Sequence, residues 1–74
     1  MTNRTPLTLR DANRAMTIAS RGSSAQRDAL EDEFGGALSS ILDELWAMAE
    51  DAGRPYLAGR LERAYNRLVG HGMS

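Results

Sequence analysis

The chain reads as an all-α protein, a small three-helix bundle with a long central helix. Three observations carry that reading. Eleven of its 74 residues are Ala, the strongest helix former. Apolar residues recur at three- and four-residue spacing in three stretches, and no segment alternates with the period of a strand. The charge falls into three blocks that match those stretches. Residues 1–27 hold five Arg and one Asp, 28–51 hold eight acids and no base, and 52–74 hold four Arg and one Glu. An acidic central helix between two basic ones is the arrangement this pattern suggests.

Residues 1–7 are polar, include Pro6, and are expected to form a flexible arm. Thr8 is a good N-cap, and Asp11 three residues on completes a capping box with Asp in place of Glu. Leu9, Ala12, Met16 and Ala19 then mark one face of a first helix over about 8–21. Arg21-Gly22 reads as a basic last turn followed by a glycine stop.

Ser23 or Ser24 caps the next element. Leu30, Phe34, Ala37, Ile41, Leu45, Met48 and Ala52 keep one helical stripe, widened by Leu38, Leu42 and Ala49. Gly35-Gly36 interrupts it, and two interior glycines cost about 2 kcal/mol relative to Ala. A loop would normally reset the phase, yet the stripe continues in register. The expectation is one helix over 24–52, bent at the glycines. The alternative is two helices, 24–34 and 37–52. Gly53 closes the element, and Pro55 opens the last helix at the position where a missing N–H is harmless. Leu57, Leu61, Ala64 and Leu68 form its apolar face, with Tyr65 beside them, up to Val69-Gly70. The domain therefore covers 8–70, followed by a loose tail, 71–74.

At this length there is room for one domain with a marginal core. Stability is expected to lean on a partner or on self-association, for example through the central stripe. The absence of Cys excludes disulfides and thiolate chemistry and fits a cytoplasmic location. The N-terminal residues lack the apolar run of a signal peptide, and no stretch approaches the ~20 apolar residues of a membrane span.

Catalysis and metal binding find no support in the residue types. The one His, His71, sits between glycines in the tail. Asp28, Glu31, Asp32 and Glu33 crowd together without the glycine and spacing of a calcium loop. Gly35-Gly36 lacks the Lys of a phosphate loop. No catalytic residue, metal ligand or cofactor is assigned, and the chain is not expected to be an enzyme.

All nine basic residues are Arg. Arg10, Arg14 and Arg21 with Thr17 lie opposite the apolar face of the first helix. Tyr56, Arg60, Arg63 and Arg67 form an outward stripe on the last, with Tyr56 placed to stack on Arg60. Such rows suit phosphates as well as carboxylates. The turn at 49–53 imitates a helix-turn-helix, but Gly59 and Glu62 then fall where apolar residues belong, and the net charge of −1 disfavours nucleic acid. Protein binding is the stronger reading. Trp46 lies one step off Leu45, at the edge of the central stripe, and Trp is enriched among interface hot spots. The candidate partner-binding residues are Trp46, Tyr56, Arg60, Arg63 and Arg67.

The segments Thr5-Pro6-Leu7-Thr8-Leu9-Arg10-Asp11-Ala12 and Gly53-Arg54-Pro55-Tyr56-Leu57-Ala58, with the chain's size and its lack of Cys and Lys, resemble the QseM-like antiactivators. These are short helical proteins of bacterial conjugative elements. The resemblance implies a protein that binds a transcriptional activator and keeps it from switching on excision and transfer. It implies no enzyme activity and no DNA contact, and it assigns no binding residue.

Overall fold

The computed structural model describes residues 6–70; the first five residues of the expected arm and the tail 71–74 lie outside them. Every regular element described is helical. A 3₁₀ turn, Leu9–Asp11, leads into α1, Ala12–Arg21, followed by α2, Ser24–Phe34, α3, Leu38–Asp51, and α4, Pro55–Gly70. None of the described helices is long and apolar enough to cross a membrane.

The all-α class holds, but the three-helix count with one long central helix does not. The chain breaks at Gly35-Gly36 into α2 and α3, so the two-helix alternative is the one observed. Gly35 takes a left-handed conformation, φ 74°, which a residue with a Cβ adopts at a cost of about 1–2 kcal/mol. Its N–H and that of Gly36 both donate to the Glu31 carbonyl, at 2.7 and 3.2 Å. This closure turns the axis and restarts the helix at Leu38. The buried positions shift accordingly. Leu38, Leu42 and Ala49 join Ile41 and Leu45 in the core, whereas Ala37 and Ala52 are exposed.

The other ends follow their sequence signals more closely. The Thr8 N–H donates to the Asp11 carboxylate at 3.1 Å. At α2 the Ser23 hydroxyl accepts the Gln26 N–H and the Gln26 side chain accepts the Ser23 N–H. Gly53, at φ 71°, closes α3. Its N–H reaches the Glu50 carbonyl while Arg54 reaches that of Ala49, the paired bonds of a Schellman motif. Gly22 is different. Its backbone is extended, φ −71°, so its small size matters rather than its conformational freedom. A Cβ there would meet the Ile18 carbonyl oxygen at 2.5 Å.

The core lies between α1, α3 and α4. Leu42, Leu45 and Leu61 are its largest fully enclosed side chains, and Ala12, Ala15, Ala19, Ala49, Ala58 and Ala64 let the helices approach closely around them. Ile41, Leu42 and Leu45 are thus buried against the chain's own bundle rather than held open for a second copy. Leu7, the last residue of the expected arm, also packs against this core. By contrast α2 supplies one buried residue, Leu30. Half-buried Phe34 also packs against the core, and polar contacts add to the hold. The Arg27 Nη2 donates to the Ala19 carbonyl at 3.1 Å, the Glu31 carboxylate accepts the Leu38 N–H at 2.6 Å, and Glu33 pairs with Arg14 at 2.7 Å.

Candidate functional site

Among the recesses of the surface, two of opposite chemistry lie on different flanks of α4. The first opens between α3 and α4. Leu42, Asp43 and Trp46 line it from α3, and Glu62, Tyr65 and Asn66 from α4, around a volume of about 260 Å³. Leu42 belongs to the buried stripe and forms the floor, whereas Asp43, Trp46, Glu62, Tyr65 and Asn66 sit one step round their helices from it, because residues three and four apart share a helical face. Trp46 follows Leu45 and is 37% exposed where Leu45 is fully enclosed. Tyr65 follows Ala64 and is half-buried. The two aromatic rings therefore border an open cleft whose charged members, Asp43 and Glu62, are both acids.

The second recess lies where the 3₁₀ turn and α1 meet the start of α4. Arg10, Arg54, Tyr56 and Arg60 line it, beside Leu9 and Pro55, around about 480 Å³. No carboxylate borders it. Tyr56 is 81% exposed, so this aromatic ring lies open to solvent. Further along the same seam Arg67 lines a smaller recess with Arg27, Ala19 and Ser20. The Nε of Arg27 is buried there and has no hydrogen-bond partner among the described residues.

The five candidate partner-binding residues fall in different places on the surface. Tyr56 and Arg60 come together, joined by Arg10 and Arg54. Arg67 stands near the other end of α4, and Arg63 is exposed on the stripe between them. Trp46 borders the acidic cleft instead. The cleft partners Asp43, Glu62, Tyr65 and Asn66 were not among the candidates. Their signal in sequence is the pair 43/46 and the triplet 62/65/66, each flanking a buried stripe.

Most of the block charge faces water. Arg14 with Glu33, 2.7 Å apart, is the ion pair found among the described residues. The same guanidinium lies over the Phe34 ring, 5.6 Å from its centroid, where the sequence had suggested a stack of Tyr56 and Arg60. Glu33 raises the pKa of Arg14, first through the hydrogen bond and then through its charge. With both side chains more than a third exposed, the pair contributes about 1 kcal/mol or less. No group of residues able to hold a metal ion occurs among those described.

A small all-α protein with an aromatic, acidic cleft and a separate arginine seam is the class that fold and surface define. No protein-family model, curated protein or solved structure matches the chain.

Proposed function

We propose that this chain is a non-enzymatic, cytoplasmic regulator that binds a partner protein and occludes it, the partner being a transcriptional activator. One observation carries the binding reading. A half-exposed Trp46 borders an open cleft between the two longest helices of the bundle, a placement that supplies a large, rigid contact area on a fixed support. The residue types argue for occlusion rather than chemistry, since the chain has no Cys and its one His lies in a glycine-flanked tail. The activator as partner, with control of conjugative transfer as the setting, rests on the resemblance to the QseM-like antiactivators.

Co-purification with the tagged full chain from its host, in parallel with the Trp46→Ala variant, tests this. The expected result is an activator retained by the first and lost by the second, with a promoter under that activator silenced by the wild-type chain alone. Equal retention by both chains, or a promoter indifferent to the wild-type chain, would sink the reading.

A second reading has its own observation. The recess formed by Arg10, Arg54 and Arg60 beside the exposed Tyr56 has no carboxylate on its border, a lining suited to phosphate. It would make the chain a small nucleic-acid-binding or antitoxin-like regulator. The salt dependence argued in the Discussion separates the two.

A further inference from the structure

The α3–α4 cleft combines two features that select one kind of ligand. Trp46 and Tyr65 present ring surface, and Asp43 and Glu62 place carboxylates on the same border, with the Asn66 amide beside them. Aromatic faces attract a guanidinium or ammonium group, and a carboxylate offers two oxygens to the planar fork of an arginine. Neither Asp43 nor Glu62 is ion-paired within the described chain, where Arg14 and Glu33 form the one bridge. An apolar partner closing over the cleft would strand two carboxylates without counter-charge, which is strongly unfavourable. An acidic partner would add repulsion to that cost.

We propose that this cleft is the docking site for a basic segment of the partner protein. An arginine of that segment lies against Trp46 and Tyr65, with Asp43 and Glu62 as its counter-ions. The proposal rests on the regulatory reading above and adds the chemistry of the bound surface. Charge complementarity selects the occupant. The site draws one acid, Asp43, from the acidic middle of the sequence and the other, Glu62, from the otherwise basic last block.

The test uses the full chain labelled with ¹⁵N and an alanine-based peptide carrying two arginines one helical turn apart. A second peptide carries citrulline, the neutral isostere, in their place. The expected result is a saturating shift of the Trp46 indole N–H with the arginine peptide. Affinity falls roughly tenfold or more with citrulline, or with the isosteric double variant Asp43→Asn/Glu62→Gln, because the lost bonds are charge-assisted. Equal binding of both peptides, an unaffected double variant, or no shift at Trp46 overturns the proposal.

The failure of the regulatory reading looks different. Peptide binding as described, with no host protein retained by the chain, leaves the cleft chemistry standing and removes the regulator. A host partner lost on Trp46→Ala but held fully by Asp43→Asn/Glu62→Gln keeps the regulator and removes the cation. Self-association of the purified chain that disappears with Trp46→Ala, read by sedimentation, would put a second copy in the cleft and overturn the assignment to a foreign partner.

Discussion

The Glu31 carboxylate accepts the backbone N–H of Leu38 at 2.6 Å, across the turn that separates α2 from α3. The same residue's carbonyl closes α2 by accepting Gly35 and Gly36. Glu31 therefore ends one helix with its backbone and starts the next with its side chain. The start of α3 needs this help, because its own N-cap is Ala37, which has no side-chain acceptor. Glu31→Ala is expected to destabilise the fold by about 1 kcal/mol, the usual cost of a lost cap. Glu31→Gln keeps an acceptor oxygen and should recover part of it. Urea unfolding midpoints check both, and an unchanged midpoint for Glu31→Ala would show that water replaces the carboxylate at no cost.

The two adjacent glycines should respond differently to the same substitution. Gly35 has a positive φ and Gly36 does not. No heavy atom outside its chain neighbours lies within 4 Å of a Cβ placed on Gly36. Gly35→Ala is expected to lower stability by about 1–2 kcal/mol. Gly36→Ala should be neutral or raise it by up to about 1 kcal/mol, through the unfolded chain. A continuous helix would instead be stabilised by both changes, so equilibrium unfolding of the two variants tests the break directly.

The sequence offered that break at the right glycines but only as the alternative to a continuous helix, for a definite reason. Spacing in sequence fixes the angle of a residue about a helix axis but says nothing about the direction of the axis. After Gly35 the axis turns and Leu38 takes the buried place that Ala37 held in the continuous pattern. The caps at Thr8, Ser23 and Gly53 were legible because each is a local exchange of hydrogen bonds within a few residues. At the candidate site, the boundary position of Trp46 followed from its one-step offset from Leu45. Its neighbours Glu62 and Tyr65 did not, because they depend on how α4 is rotated against α3. The seam of Arg10, Arg54 and Arg60 was likewise hidden, since it joins two segments far apart in sequence, residues 9–13 and 54–60.

Leu45 and Trp46 are adjacent in sequence and should separate stability from binding. Leu45 has no exposed surface, and Trp46 is 37% exposed. Leu45→Ala is expected to cost about 2–5 kcal/mol, enough to unfold a chain of this size in part. Trp46→Ala should cost about 1–2 kcal/mol of stability and leave the helical circular-dichroism spectrum mostly intact. It should also weaken the partner by more than about 1 kcal/mol. A collapsed spectrum for Trp46→Ala would assign that side chain to the core and remove the anchor of the proposed interface.

Arg14 holds α2 against α1 through two contacts, the Glu33 carboxylate and the Phe34 ring. A double-mutant cycle of Arg14→Ala with Glu33→Ala should give a coupling of about 0.2–1 kcal/mol, the range for exposed pairs. In concentrated salt the coupling should shrink, since a Debye length of about 3 Å at 1 M screens exposed charge. A coupling that survives high salt would mean that the pair is shielded from solvent more than its exposure suggests.

The arginine seam decides between protein and nucleic acid through salt. If Arg10, Arg54 and Arg60 contact phosphates, duplex affinity should fall with a log–log slope of roughly 0.9 per phosphate neutralised. The triple change of these residues to Gln should then reduce that slope by about the same amount for each contact removed. The regulatory reading expects otherwise. The acids of α2 and α3 leave the chain at a net charge of −1, so long-range attraction to a duplex is absent, and three exposed guanidinium groups alone hold it weakly. The expected outcome is no measurable duplex binding at low salt for the wild-type chain. Binding with a steep slope that the triple variant flattens would make the seam a phosphate surface and promote the second reading over the first.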